Sequence, residues 1–315
     1  MNSIECSVAQ INGARSYQED CYQVVADLPS GEGRRGHLYV LCDGMGGHAD
    51  GAVASQLICD HFVASFRAHS IEIRERLATA VNEANLALAE YIAQRPDKKS
   101  MGSTLVAVWL EENQIWWVSI GDSPLWLIRK GQLTRLNEDH SMAPVFQRMV
   151  DLGQMSQASA DSDIKRHVLR SAVNGEDIRL VDLVEKPLEL VPGDLLMLAS
   201  DGVESLSDEC IRDLLISSPS DSCQRILNEL MQQIEMMNFE EQDNASAILI
   251  RVSAPAWNTL SPYGTGHRQL KEVPQQRSSA SSAGWKLPGP NGLWYGLGIV
   301  VLLVLIAIVT GVFSD

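Results

Sequence analysis

Only six cysteines occur in 315 residues, with no Cys-x-x-Cys pair and no regular spacing, which excludes a disulfide framework and a thiolate zinc site. Cys6, Cys21, Cys42, Cys59, Cys210 and Cys223 therefore read as reduced, mostly buried residues. Basic residues are also scarce: 25 Lys and Arg stand against 40 Asp and Glu, a net charge of −15. Binding to a phosphate backbone recruits an excess of cations, so no nucleic-acid partner is expected. The start of the chain, Met1-Asn-Ser-Ile-Glu-Cys-Ser7, has neither a basic run nor an apolar stretch. Nothing there directs export, and the main domain is expected in the cytoplasm. No internal repeat or low-complexity tract occurs before residue 253, and 45% apolar with 21% charged residues is the composition of a folded domain.

Composition changes abruptly near Ser253. Residues 254–292 are rich in Pro, Ser, Gly and Gln, lack apolar periodicity and read as a flexible linker. There Arg268, Lys271, Arg277 and Lys286 face one acid, Glu272, giving a local charge of +3 in an otherwise acidic protein. Residues 293–313 are continuously apolar and uncharged, long enough for a helix to cross a hydrocarbon core of ~30 Å. Trp294 and Tyr295 sit at the end next to the basic linker, as aromatic rings do at a membrane interface. The expectation is a single-pass transmembrane helix in the inner (cytoplasmic) membrane, with residues 1–253 on the cytoplasmic side by the positive-inside rule.

Within residues 1–253 both element types occur. Apolar or alternating runs at 38–42, 105–110, 115–120, 125–129, 195–199 and 247–252 predict strands, and the polar Glu111-Glu-Asn-Gln114 joins the second and third as a hairpin. Helical periodicity marks 52–66, 71–94 and 223–237. Hairpin-joined strands with helices in separate blocks predict an antiparallel α+β fold.

The chemistry-bearing signal is acidic. Asp43-Gly44 follows the run Leu38-Tyr-Val-Leu-Cys42, Asp122 follows Trp117-Val-Ser-Ile-Gly121, Asp201-Gly202 follows Asp194-Leu-Leu-Met-Leu-Ala-Ser200, and Asp243-Asn244 precedes a strand. A lone Asp-Gly is an ordinary turn or helix cap. Four acids at strand termini read instead as oxygen ligands for Mg²⁺ or Mn²⁺, and two such ions close together need a bridging carboxylate. Arg15, Glu19 and Asp20 place a guanidinium beside two further carboxylates, a grouping suited to capture of a phosphoryl group, although standing alone it would read as a surface salt bridge. Met142, Met149 and Met155, in the stretch 140–175, read as core fillers. His37, His61, His69, His140, His167 and His267 show no metal-ligand spacing and read as structural or solvent-exposed.

Arg15-x-x-x-Glu19-Asp20, Asp43-Gly-Met-Gly-Gly-His48, Gly102-Ser-Thr104, Gly121-Asp-Ser123, Glu138-Asp-His-Ser141, Ser200-Asp-Gly202 and Asp243-Asn244 occur in the order and approximate spacing of the metal-dependent PP2C-type (PPM) serine/threonine protein phosphatases. From about residue 5 to residue 253 the chain resembles the bacterial branch of that family. The resemblance implies a four-layer α/β/β/α sandwich of two antiparallel sheets flanked by helices, with two Mn²⁺ or Mg²⁺ ions at one end. It implies that Asp43 bridges the ions, that the Gly44 carbonyl binds the first, and that Asp201 and Asp243 bind the second. Glu19 and Asp20 would hold metal-bound waters, Arg15 the substrate phosphate, and Asp122 with Asp201 a third, weaker ion. His48 is the candidate proton donor, although the eukaryotic branch places its acid histidine where Met45 stands here. Gln18 and Pro124 replace the usual Asn and Arg. No Cys-x5-Arg loop offers a covalent route. The implied substrates are phosphorylated proteins, and the implied partner is an opposing Ser/Thr kinase; a silent phosphoprotein-binding module and a small-phosphoester hydrolase are the alternatives.

Overall fold

Strands buried on both faces set the architecture of this chain. The structure, a computed structural model, describes residues 3–253 apart from 32, 47–48, 96–99 and 218–220. The expected linker 254–292 and membrane helix 293–313 lie outside the described residues, as does His48. Among the described residues no helix is long and apolar enough to cross a membrane.

The chain opens with β1 (Ser3–Ile11), β2 (Cys21–Pro29), β3 (Arg35–Cys42) and β4 (Gly44–Met45), followed by α1 (Ala49–Ala68) and α2 (Ile73–Ala93). Next come β5 (Gly102–Ser103), β6 (Leu105–Glu111), β7 (Gln114–Ile120), β8 (Leu125–Arg129) and β9 (Gln132–Arg135), then α3 (Ala143–Asp151) and α4 (Gln157–Ser162). The last part holds β10 (Asp182–Leu183), β11 (Leu188–Glu189), β12 (Leu195–Ala199), a 3-10 turn (Asp201–Ser205), α5 (Asp208–Ile216), α6 (Cys223–Met237) and β13 (Ala245–Ser253). One sheet has the order β1-β13-β12-β8-β9; the other has β10-β7-β6-β3-β2, with β11 also on β7. Pairing within both is antiparallel, and β1 runs along β13 from Ser3↔Ser253 to Ile11↔Ala245.

The period of two sends alternate side chains of each strand to different cores. Tyr39, Leu41, Val106, Val108, Leu196, Leu198, Ile248 and Ile250 fill the layer between the sheets. Leu38, Val40, Ala107 and Trp109 point the other way, onto Ile58, Phe62 and Phe66 of α1 and Leu77, Ala84 and Leu88 of α2. Met197, Ala199, Ala247 and Leu249 meet Ile211 and Leu215 of α5 and Ile226, Leu230 and Ile234 of α6. The result is the expected four layers, and two-sided burial explains why these antiparallel strands read as unbroken apolar runs. Ser207 and Ser222 accept the Cys210 and Arg225 backbone N–H groups and so start α5 and α6. Buried Arg76 is accommodated by its cation–π contacts, 4.0 Å from the Phe66 ring centroid and 5.7 Å from that of Trp109, and by donation to the carbonyls of Phe66 and Pro29.

The strands at 125–129 and 195–199 and the helix at 223–237 have the expected bounds. The edge strands β1 and β2 and the short α3, α4 and α5 were not expected. Two sequence expectations need correction. Met142, Met149 and Met155 are half-buried, not core fillers, because the segment carrying α3 and α4 lies on the surface. Three of the cysteines, Cys42, Cys59 and Cys223, are fully buried, while Cys6, Cys21 and Cys210 are half-buried; all six are free thiols.

Ile250 is fully buried in the inter-sheet layer. Ile250→Ala is expected to cost about 2–5 kcal/mol by lost burial and residual cavity, read as a lower urea midpoint.

Candidate functional site

Five chain segments meet at one end of the sandwich: the β1–β2 loop, the end of β3, the β7–β8 turn, the 3-10 turn after β12 and the residues before β13. They line a cleft of about 670 Å³ with Arg15, Glu19, Asp43, Gly44, Asp122, Asp201 and Asp243. The structure thus brings seven of the nine candidate site residues into one cavity. Asp20, the eighth, is buried beside them: its Oδ2 accepts from Ser200 Oγ at 2.8 Å and Ser246 Oγ at 2.6 Å, and its Oδ1 has no hydrogen-bond partner among the described residues.

Asp43 lies just past the end of β3, so its backbone is held by side chains. Its N–H donates to Thr104 Oγ1 at 3.0 Å, and its carbonyl accepts from Ser103 Oγ at 2.7 Å and Thr104 N–H at 2.9 Å. Thr104 Oγ1 is in turn 2.7 Å from Ser123 Oγ. Two of the quoted sequence motifs, Gly102-Ser-Thr104 and Gly121-Asp-Ser123, therefore brace the Asp43 turn in addition to supplying Asp122. His140, from a third motif, is buried and accepts the Gly121 N–H at 3.3 Å; burial lowers its pKa, which suits a neutral acceptor ring. A Cβ on Gly44 would overlap the carbonyl oxygen of Gly51, so only glycine lets β4 pass this close to α1.

Asn244 joins the two acidic loops. Its Oδ1 accepts the Glu19 N–H at 2.7 Å, and its Nδ2 donates to the carbonyls of Asn12 at 2.9 Å and Tyr17 at 3.0 Å. Gln18, one of the departures from the family pattern, contributes to the same brace: its Nε2 donates to Ile11 O at 3.1 Å and its Oε1 accepts the Asp20 N–H at 2.8 Å. Pro124, the other departure, offers its carbonyl to the Ala199 N–H at 3.0 Å. Arg15 Nη2 bonds Asp243 Oδ2 at 2.8 Å, and both side chains are half exposed. The guanidinium has five N–H donors, so this pairing leaves others for a ligand.

Electrostatics mark the cleft as a site for cations. Burial, and then the neighbouring Asp20 and Asp201, push the Asp43 carboxyl well above the usual carboxylate range. Burial raises Asp20 to about 7 and Asp122 to about 8, the latter aided by Asp201, Asp139 and Glu204. Asp201 is raised by burial and by Asp243. Grouped acids of this kind hold their protons unless positive charge is supplied, and hard oxygen donors select Mg²⁺ or Mn²⁺ over zinc. The orphaned Asp20 Oδ1 and the all-oxygen donor set both fit such ions. Among the described residues no three His, Cys, Asp or Glu side chains close into an ion cage by themselves.

The stretch from His167 to Arg179 lines the same cleft and was not anticipated as part of it. Its anchors are Ser103 and Val173, which exchange backbone hydrogen bonds of 2.9 Å, and Asn85, whose Oδ1 accepts the Gly175 N–H at 2.9 Å. His167, read from sequence as structural or solvent-exposed, is exposed but within the cleft. Its spacing gave no signal, because the loop fold alone brings it there.

The family model described as Protein phosphatase 2C matches residues 27–242. The serine/threonine protein phosphatase PstP of Mycobacterium tuberculosis is 34% identical over 198 residues, 60% of this chain and 36% of that relative. The chain thus matches about a third of the length of that longer protein. A crystal structure of the Mycobacterium tuberculosis phosphatase PstP/Ppp superposes with a TM-score of 0.68 at 28% identity, covering 81% of this chain and all of that one. A PstP catalytic domain in complex with two manganese ions gives a TM-score of 0.65 at 27% identity, with the same coverage.

A Cβ on Gly202 would overlap the Asn244 carbonyl oxygen. Gly202→Ala is expected to force the Asp201 turn away from the Asp243 loop at a cost of about 1–3 kcal/mol, seen as a lower urea midpoint with an unchanged m value.

Proposed function

Because the chain belongs to the protein phosphatase 2C family, we propose that it is a metal-dependent phosphatase that hydrolyses phosphoserine and phosphothreonine in proteins. The observation that carries this reading is the convergence of Asp43, Asp122, Asp201 and Asp243 with Arg15 in one cleft. The named activity of the relatives and the manganese pair of the PstP structure support it. When bound, a pair of Mn²⁺ or Mg²⁺ ions supplies positive charge and acidifies water for in-line attack on phosphorus, without a phosphoenzyme.

The residues divide the work. Asp43, the Gly44 carbonyl, Asp201 and Asp243 would hold the ions, Glu19 and Asp20 would hold water beside them, and Asp122 with Asp201 would hold a third, weaker one. Arg15 holds the phosphoryl oxygens through the donors that its bond to Asp243 leaves, a bidentate capacity that lysine lacks. Phosphoryl transfer depends on positioning and charge stabilisation, which accounts for the rigid bracing of the Asp43 and Asp243 turns.

Anchoring is a further part of the proposal. The uncharged apolar stretch 293–313, preceded by a basic linker, would tether the phosphatase domain to the cytoplasmic face of the inner membrane. Confinement there raises its effective concentration near membrane-bound substrates and an opposing Ser/Thr kinase.

The full-length protein is expected to release phosphate from a phosphothreonine peptide with Mn²⁺ and to stop with EDTA. Asp43→Ala and Asp201→Ala should each lose on the order of 10³-fold or more in kcat/KM, several kcal/mol of charge stabilisation. No turnover of the wild-type protein with any divalent cation, despite phosphopeptide binding, would identify a silent binding module. For the tether, full-length protein should stay with washed membranes through alkaline carbonate, whereas a chain ending at Ser253 should be released; full-length protein in the wash would sink the anchor.

A further inference from the structure

A serine or threonine alkoxide is a poor leaving group, so cleavage of its bond to phosphorus gains from a proton delivered in the transition state. The acids of the cleft are poor donors once cations hold them ionised, and arginine does not release its proton. An imidazole gives up a proton near neutrality. Among the described residues, His167 is the histidine that lines this cleft, together with Arg15, Asp43 and Asp201.

Two features suit it to contact substrate. Its side chain is exposed, and no hydrogen bond among the described residues engages its ring, in contrast to buried His140, which holds the Gly121 N–H, and to His69, which pairs with Glu83. The backbone carrying it is fixed on both sides. Arg166 N–H donates to Asp163 O at 3.0 Å and Val168 N–H to Lys165 O at 2.9 Å, while Val168 O accepts the Met142 N–H at 3.0 Å. Leu169 then forms a bridge with Ser141.

We propose that His167 is the proton donor to the leaving serine or threonine oxygen, a catalytic role that rests on the phosphatase reading above. The attacking hydroxide oxygen forms the new bond to phosphorus, and the bond from phosphorus to the side-chain oxygen breaks. Its electron pair leaves on that oxygen, which takes the ring N–H proton of His167. Hydrogen phosphate and the free hydroxyl are the products, and solvent reprotonates the neutral imidazole.

The test compares two leaving groups in the full-length protein with Mn²⁺: a phosphothreonine peptide, which needs the proton, and p-nitrophenyl phosphate, whose phenolate leaves without it. In His167→Asn and in His167→Gln, kcat on the peptide should fall by about 10²-fold or more while kcat on the aryl ester stays within about threefold. Mn²⁺ affinity by calorimetry should be unchanged. Equal losses on both substrates would make His167 a structural prop, and weaker Mn²⁺ binding would make it a metal ligand; either overturns the proposal. So would a leaving-group-selective loss in His48→Asn with none at His167. A wild-type protein inactive on both substrates would instead remove the phosphatase reading on which the proposal rests.

Discussion

Repulsion among carboxylates is the constraint around which this domain is built. Asp20, Asp43, Asp122, Asp201 and Asp243 come from five separate places in the chain, and each would be better hydrated alone. Bringing them together costs free energy, because at Asp20, Asp43, Asp122 and Asp201 burial adds desolvation to repulsion. The structure meets that cost with two apolar layers flanking an inter-sheet core, so the strand ends that carry the acids cannot relax apart. A site that is unfavourable without cations and favourable with them is the usual exchange of stability for function.

Rigidity at the acidic end comes from small polar side chains and not from more sheet. Ser103, Thr104 and Ser123 hold Asp43; Ser200 and Ser246 hold Asp20; Asn244 holds Glu19 and the loop before it. These are short, neutral hydrogen-bonding groups, able to satisfy backbone and carboxylate without adding charge to a crowded site. Glycine completes the arrangement at Gly44 and Gly202, where any side chain would push two functional loops apart.

Much of this was legible in the sequence, for a physical reason. Strands buried on both faces become continuous apolar runs, so Leu125–Arg129 and Leu195–Ala199 have the bounds the pattern gives. β1 was missed although Ser3–Ile11 alternates polar residues such as Glu5 and Ser7 with apolar ones, because it is an edge strand whose pairing partner lies more than two hundred residues away. The acids were found through their position at strand ends and through the family pattern. The motif serines and threonines were seen without their purpose, which depends on which backbone atom each reaches. His167 carried no local signal at all, since folding of the 140–175 segment alone decides that it faces the cleft. Gln18 shows the converse: a departure from the family pattern that the fold absorbs by supplying both a donor and an acceptor to the same loop.

The pairing of β1 with β13 has a topological consequence. Ser3 and Ser253 are cross-strand partners, so the described chain nearly closes into a ring, its two ends side by side at one sheet edge. The cleft lies at the other end of that pair, where β13 begins after Asp243, roughly 30 Å away at the usual rise per strand residue. Strain on the joined ends, or cargo fused to them, would bear on one pole of the sandwich while catalytic geometry is set at the opposite pole. The domain is mechanically a closed loop with its handle and its working edge on opposite sides.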